Sequence, residues 1–181
     1  MISLRPTLNI MRGLIFVWIY YLMFTFKNYS DVMWLYLLMN GSYGICWLIK
    51  DLFFPDIAIR PKSAVGSHII LILILMAYAC IPLPLAMGFG YKKISTVRMV
   101  SIGLVYLTGM VLMTAGDYQK YKAHASGKMA TTGLFKTSRN PNYLGELLNY
   151  TSFAMLTGNI SGFLLWYCLG VPLFIMNIII K

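Results

Sequence analysis

Of the five acidic residues in this sequence, Glu146 is the one that falls inside an apolar segment. An ionisable side chain within a membrane-length apolar helix is costly unless it faces protein or water, so it marks a candidate functional site. Asn142, Glu146 and Asn149 stand at i, i+4 and i+7, a spacing that sets all three on one face of a helix. A polar stripe that begins at the membrane surface and runs about two turns inward describes the wall of a cavity open to one side. A carboxyl group held there can orient or protonate a bound group.

The stripe requires a helix that starts just before it. Arg139-Asn140-Pro141-Asn142 supplies one: Pro141 lacks an N–H and has a fixed φ, which suits a first helical position, and Asn140 is placed to cap it. Leu144, Leu148 and Thr151 lie on another face, turned to lipid or to neighbouring helices. Upstream, Gly116 to Lys122 extends an apolar run into the polar phase. As a helix it aligns Asp117, Tyr121 and His124 on one face, by the same spacing. Lys120, Lys122, Lys128, Lys136 and Arg139 can then surround an anionic ligand such as a phosphate-bearing cofactor. The alternative is a solvated interfacial segment whose lysines touch lipid headgroups; the neighbouring stripe favours the pocket.

The elements that must position these groups are membrane spans. The chain has 181 residues, 59% hydrophobic and 11% charged, a balance that fits a polytopic all-α membrane bundle and not a soluble domain. Six apolar runs can be traced: Leu14 to Phe26 (with Leu8 to Met11 if Arg12 is sheltered or snorkels), Val32 to Ile49, Ser67 to Met87, Met99 to Ala115, Tyr143 to Leu156, and Ile160 to Ile180. Asp31 is placed to cap the second, Pro82 and Pro84 stop or kink the third, and His68 sits at that span's edge. Asn40-Gly41-Ser42-Tyr43-Gly44 puts small polar residues at bilayer depth, for close packing or for a cavity wall. Gly103 and Gly109 offer further close-packing positions. Thr157-Gly158-Asn159 permits only a tight helical hairpin. One membrane domain follows, 1–181: four N-terminal spans in 1–115, a polar cofactor-side segment in 116–142, and a C-terminal helical hairpin in 143–181.

Charge supports that count. With alternating spans, eleven of the fifteen basic residues fall on one side, and only Lys27, Lys92, Lys93 and Arg98 on the other. By the positive-inside rule, the long polar segment then faces the cytoplasm or a matrix. The net charge of +10 therefore reads as topology signal and lipid-headgroup contact, not nucleic-acid binding. The first apolar run lacks a small-residue cleavage pattern and is expected to be retained as a span. Cys46, Cys80 and Cys168 lie singly in apolar runs, as buried small hydrophobes with neither disulfide nor metal spacing. Dinucleotide-fold, Walker and Ser-His-Asp signatures are missing, so a cofactor site here must be built between membrane helices.

Gly133-Leu134-Phe135 followed by Ser138-Arg139-Asn140-Pro141-Asn142-Tyr143-Leu144-Gly145-Glu146 resembles the C-terminal motif of the steroid 5-alpha-reductase-like membrane enzymes. That superfamily also includes sterol delta-14 reductases and the isoprenylcysteine and phospholipid methyltransferases. Asn40 to Gly44 through Asp56, and Gly116 to Tyr121, look like an uncharacterised branch of it. The resemblance spans about residues 40 to 181. It implies a cofactor pocket held by Asp117, Lys120, Tyr121, Arg139 and Asn142, with Glu146 and Tyr143 at the reacting end. In the reductases that cofactor is NADPH and the substrate a lipid-like or steroid-like enone; in the methyltransferases it is S-adenosylmethionine. Glutamate after Tyr-x-Gly is closer to the reductase side. Two departures stand out: Asn140 replaces the commoner histidine, and the sequence ends at Lys181, where such enzymes continue into a basic tail completing the site. Either the chain continues beyond this sequence or the protein lacks part of the site; in the second case a non-catalytic subunit of a membrane assembly, its pocket holding lipid, is the third expectation. Membrane lipids, a lipid-like small molecule and other membrane subunits are the expected partners. Bacterial inner, endoplasmic reticulum and mitochondrial membranes fit equally.

Overall fold

The computed structural model describes residues 2–55, 62–63, 65–91, 93–160, 164 and 166–172. Arg60, Lys92, Lys181, the side chain of His68 and most of the expected last span lie outside the described residues. The architecture is an all-helical membrane bundle. Three helices, α1 (Arg5–Phe26), α2 (Asp31–Phe53) and α5 (Thr96–Ala125), are long and apolar enough to cross a membrane. Between them come α3 (Val65–Cys80) and the single turn α4 (Leu83–Ala86), and after them α6 (Pro141–Thr157). A two-residue antiparallel pairing of β1 (Ile2–Ser3) with β2 (Lys62–Ser63) ties the chain start to the α2–α3 connection.

The sequence punctuates these helices locally. α1 closes on Lys27, whose positive φ of 51° lets its N–H reach back to carbonyls of the last turn. The cap of α2 is Ser30, whose Oγ accepts from Met33 N at 3.4 Å, and not Asp31. Asp31 is instead the first helical residue, where its charge complements the helix N-terminus. The third apolar run breaks after Cys80, and α4 begins beside Pro82 and Pro84, as prolines there dictate. Asn140 does hold the N-cap position of α6 with Pro141 behind it, but its side chain makes no capping hydrogen bond. α6 ends on Gly158 at φ 64°, with the Tyr91 ring packed against the glycine. Beyond that cap a π-helical turn, Trp166–Gly170, returns over α6. Trp166 stacks edge-on against Tyr150, ring centroids 4.7 Å apart, and donates to Thr151 Oγ1 at 3.3 Å, so the hairpin closes.

Polar contacts sort the helix ends into two sides. Arg5 meets Asp51, Lys50 meets Asp117, and Asp117 meets Asn142, which gathers the start of α1, the end of α2, the last third of α5 and the start of α6. At the opposite end Asn28 donates to Leu85 O at 2.8 Å and Asn159 to Phe89 O at 3.0 Å. The described helices therefore alternate in direction as the charge distribution requires. α5 has 30 residues, roughly 45 Å at 1.5 Å per residue against a hydrocarbon core of about 30 Å. Its last third, from near Gly116, projects beyond the apolar layer as a helix.

The tightest packing joins α5 to α6. A Cβ on Gly145 would sit 2.3 Å from Met113 N and 2.6 Å from Gly109 O, and one on Gly109 would sit 2.5 Å from Asn149 Oδ1. The two backbones thus touch, the arrangement small residues permit between membrane helices. Gly44 does the same for α2 against α1, 2.6 Å from Arg12 O by the same construction. Gly103, expected at such a contact, faces open space. Tyr36, Tyr43, Phe153, Met33 and Met113 fill the centre, while Phe24, Leu38, Leu52, Leu104 and Val111 are exposed as a lipid-facing belt. Gly145→Ala should lower the unfolding midpoint in detergent by the equivalent of about 1–3 kcal/mol, the usual cost of overpacking. Gly103→Ala should leave it unchanged or raise it; equal behaviour of the two variants would refute the backbone contact.

Candidate functional site

The wet end of the bundle is organised by a buried ion pair. Lys50 Nζ lies 2.5 Å from Asp117 Oδ2, with the two side chains 3% and 6% exposed. The lysine also stands over the Trp47 ring, 3.7 Å from its centroid, a favourable place for a desolvated cation. Asp117 Oδ1 accepts from Asn142 Nδ2 at 2.8 Å. One carboxylate thereby joins α2, α5 and α6. A second set lies beside it: Asp51 Oδ2 accepts from Arg5 Nε at 2.7 Å and from Asn9 Nδ2 at 2.6 Å, and Trp47 Nε1 donates to Asn9 Oδ1 at 3.3 Å. Asp51 and Asp117 are both buried, so Glu146 is one of several carboxylates enclosed by the bundle.

Deeper in the apolar layer sits Arg12, 5% exposed. Its guanidinium is surrounded by the faces of Tyr43, Trp47, Tyr150 and Tyr78, at 4.8, 4.9, 5.5 and 5.6 Å from the ring centroids. Nη2 donates to Tyr150 Oη, and Tyr150 Oη lies 3.1 Å from Tyr43 Oη. Glu146 acts electrostatically on Arg12, Tyr43 and Tyr150. Buried aromatic faces and one carboxylate hold a charge that lipid alone would not tolerate. Arg12 is sheltered and does not snorkel.

The i, i+4, i+7 stripe forms as a helical face but divides in use. Asn142, Gly145 and Asn149 turn towards α5: Asn142 to Asp117, and the other two to the Gly109 backbone. Glu146, about 100° round the helix from Gly145, stands at the edge of that face, one turn before Tyr150. Glycine at 145 causes this, because it draws α5 so close that its neighbours are enclosed. Asn142 Oδ1 and both polar atoms of the Asn149 side chain are buried without a hydrogen-bond partner among the described residues. Tyr143 is half-buried beneath Lys120, whose Nζ lies 5.9 Å from the ring centroid. Tyr121 is half-buried on the projecting part of α5, and Arg139, Lys122, Lys128, Lys136 and His124 are exposed. Gln119 Oε1 accepts from Leu134 N at 3.0 Å and so pins the loop that carries Arg139 against α5. Of the residues singled out from sequence, the structure joins Asp117 to Asn142 and Lys120 to Tyr143.

A family model described as protein of unknown function (DUF1295) matches residues 57–181, more than half of the chain. The chain belongs to the DUF1295 family. No curated protein and no solved structure matches it. The matched part of this DUF1295 protein carries Asp117, Asn142, Tyr143 and Glu146, whereas Arg5, Asn9, Arg12, Lys50 and Asp51 come from α1 and α2, before the match begins.

Those residues from α1 and α2, together with Tyr78 and Tyr150, are not among the site residues that the sequence singles out, although Lys50 and Asp51 fall in a stretch of the resemblance and Tyr43 in the segment read as close packing or a cavity wall. Arg12 carried a signal, as a single charge interrupting an apolar run; the tyrosines did not, since aromatic residues are common throughout the chain. No group of three or more metal-ligating side chains occurs among the described residues. Lys50→Met, which leaves Asp117 buried without its cation, should cost about 3–5 kcal/mol of stability. The double variant Lys50→Met/Asp117→Leu should recover most of that loss in a double-mutant cycle of unfolding in detergent. Additive losses would show that the pair is not coupled.

Proposed function

We propose that this DUF1295 protein is an integral membrane reductase that uses NADPH to reduce a lipid-like or steroid-like enone. The observation that carries the reading is the Arg12–Tyr150–Tyr43 cluster beside Glu146. Reduction of an enone adds a hydride to one carbon and a proton to the other end of the conjugated system, so it needs a proton donor and an electrophile. A guanidinium hydrogen-bonded to a tyrosine hydroxyl, with a carboxyl group nearby, provides both at membrane depth. Methyl transfer needs no such donor, which favours reduction over use of S-adenosylmethionine. The motif from Ser138 to Glu146, with its resemblance to the steroid 5-alpha-reductase-like enzymes, agrees.

The cofactor end is the projecting part of α5 with the start of α6. NADPH, when bound, supplies the hydride. The donor set suits such a group: Asn142 retains an unpartnered carbonyl oxygen for an amide or hydroxyl, and Lys120 and Arg139 offer cations for phosphate at the wet rim. Asp117 positions Asn142 through the 2.8 Å hydrogen bond, and Tyr121 stands half-buried on the same projecting helix. Tyr143, under Lys120, lies between the rim and Glu146. In this scheme Glu146 orients or protonates the substrate carbonyl, and the Tyr150 and Tyr43 hydroxyls, 3.1 Å apart, pass the proton along. Trp47 and Phe153 exclude water from that end.

Purified protein should bind NADPH and oxidise it in the presence of a membrane lipid extract. Glu146→Gln should lower turnover by about 10²–10⁴-fold, the range of general acid catalysis, with NADPH affinity unchanged, while Asn142→Ala should weaken NADPH binding itself. Binding of S-adenosylmethionine in place of NADPH would overturn the reaction assigned. Binding of neither, with both variants silent, would point to a structural subunit holding lipid.

A further inference from the structure

Between α1 and α3 lies a crevice of about 400 Å³ that none of the roles above uses. Its walls are apolar, formed by Leu14 and Trp18 of α1 with Met76 and Ala79 of α3, and Arg12 and Tyr78 border it. The volume falls within the range of small-molecule sites, roughly 300–1,000 Å³. Leu14 is 51% and Met76 56% exposed, on the surface that faces lipid, so the crevice opens sideways into the bilayer. Trp18 braces it from one side, its Nε1 donating to Ala79 O at 2.9 Å.

Arg12 decides what such a crevice can hold. Its Nε and Nη1 are buried and have no hydrogen-bond partner among the described residues, although Nη2 is bonded to Tyr150. The aromatic faces around it stabilise the charge but leave these N–H groups unmatched. A buried donor without an acceptor is destabilising, the more so on a charged group. The Tyr78 hydroxyl donates to Asn40 Oδ1 and accepts from neither of these nitrogens. An acceptor oxygen brought by a ligand would satisfy them, and charge-assisted bonds from guanidinium to oxygen are among the strong ones. An unmatched buried cation at one end and a lipid-facing apolar slot at the other define an amphiphile.

We infer that the α1–α3 crevice binds an amphiphile with one apolar body, taken from the bilayer, whose carbonyl or carboxylate oxygen meets Arg12. For turnover this rests on the reductase reading and names its substrate class: a membrane-dissolved molecule whose conjugated carbonyl is at its end, delivered beside Tyr150 and Glu146. Binding itself is independent of that reading.

The test uses the full chain in lipid nanodiscs without nicotinamide. Probes are cis-parinaric acid, its methyl ester and the oxygen-free polyene diphenylhexatriene, with quenching of tryptophan emission (Trp18 lines the crevice) as readout. The acid or the ester should quench saturably, and Ala79→Phe, which fills the slot without touching Arg12, should weaken that binding at least tenfold. Arg12→Lys should weaken it comparably, and diphenylhexatriene should respond to neither substitution. Tighter binding of the acid assigns a carboxylate end, and equal binding of acid and ester a carbonyl end. Absence of saturable quenching by either, or indifference to Ala79→Phe in a variant with wild-type helicity, would overturn the site. Saturable binding without NADPH oxidation would count against the reductase alone.

Discussion

Backbone contact between α5 and α6 sets the direction of every polar side chain at the start of α6. With Gly145 against Met113 and Gly109, the helices approach too closely for a cavity at that level, so Asn149 is enclosed at the seam, while Asn142, nearer the start of α6, meets Asp117. The residue after the glycine, Glu146, is about 100° further round the helix and stands at the edge of the seam. The same geometry carries Tyr150, one turn on, to Arg12, and Phe153, nearly one turn beyond that, into the centre of the bundle. A single missing side chain thus separates an amide face from an acid face on one helix.

Charge explains the rest of the arrangement. Isolated ions in an apolar layer are costly, and a paired one is stabilised only when its hydrogen bonds are also met. Asp117 meets that condition with Lys50 and Asn142, and Asp51 with Arg5 and Asn9. Both pairs lie at the wet end, where they fasten four helix termini together. Arg12 is different in kind. It sits deeper, with one conventional hydrogen bond, several aromatic faces and two unmatched nitrogens. The bundle closes its structural charges and leaves open the one nearest the apolar crevice.

Periodicity and charge make the described helices and their alternating directions readable in the sequence. Six apolar runs with basic residues gathered on alternate connections lead to one up-and-down order, and the polar contacts at the two ends obey it. Pro141 and Asn140 marked the start of α6 for sound local reasons, although Asn140 caps it without its side chain. Asp31 was misread because adjacent Ser30 is equally suited to cap, and one residue decides which of them stands outside the helix. The pairing of Asp117 with Asn142 was within reach, both being polar groups near one membrane surface. Lys50, however, reads as an ordinary interfacial lysine, and nothing local reveals that it is buried against Asp117 from 67 residues away. The tyrosines around Arg12 were illegible for the same reason: three helices supply them, and only tertiary packing brings them together.

In the proposed reductase the two ends of the site would occupy different solvents, and that separation has chemical consequences. A dinucleotide is charged and water-soluble, so under that proposal its phosphates would lie with Lys120 on the end of α5 and Arg139 on the loop that follows it. A lipid-like enone belongs in the hydrocarbon, where the α1–α3 crevice opens. The two can meet only near the first turns of α6, at Tyr143 and Glu146, because those turns cross from one medium to the other. Placing the proton-donating cluster on the hydrocarbon side keeps bulk water from Arg12 and strengthens its hold on an acceptor oxygen, since charge interactions grow as the effective dielectric constant falls. An acid at the boundary can act on a carbonyl from the lipid side while the hydride arrives from the aqueous side. Glu146, half-buried near the start of α6, is the residue whose position both halves of the proposed reaction would require.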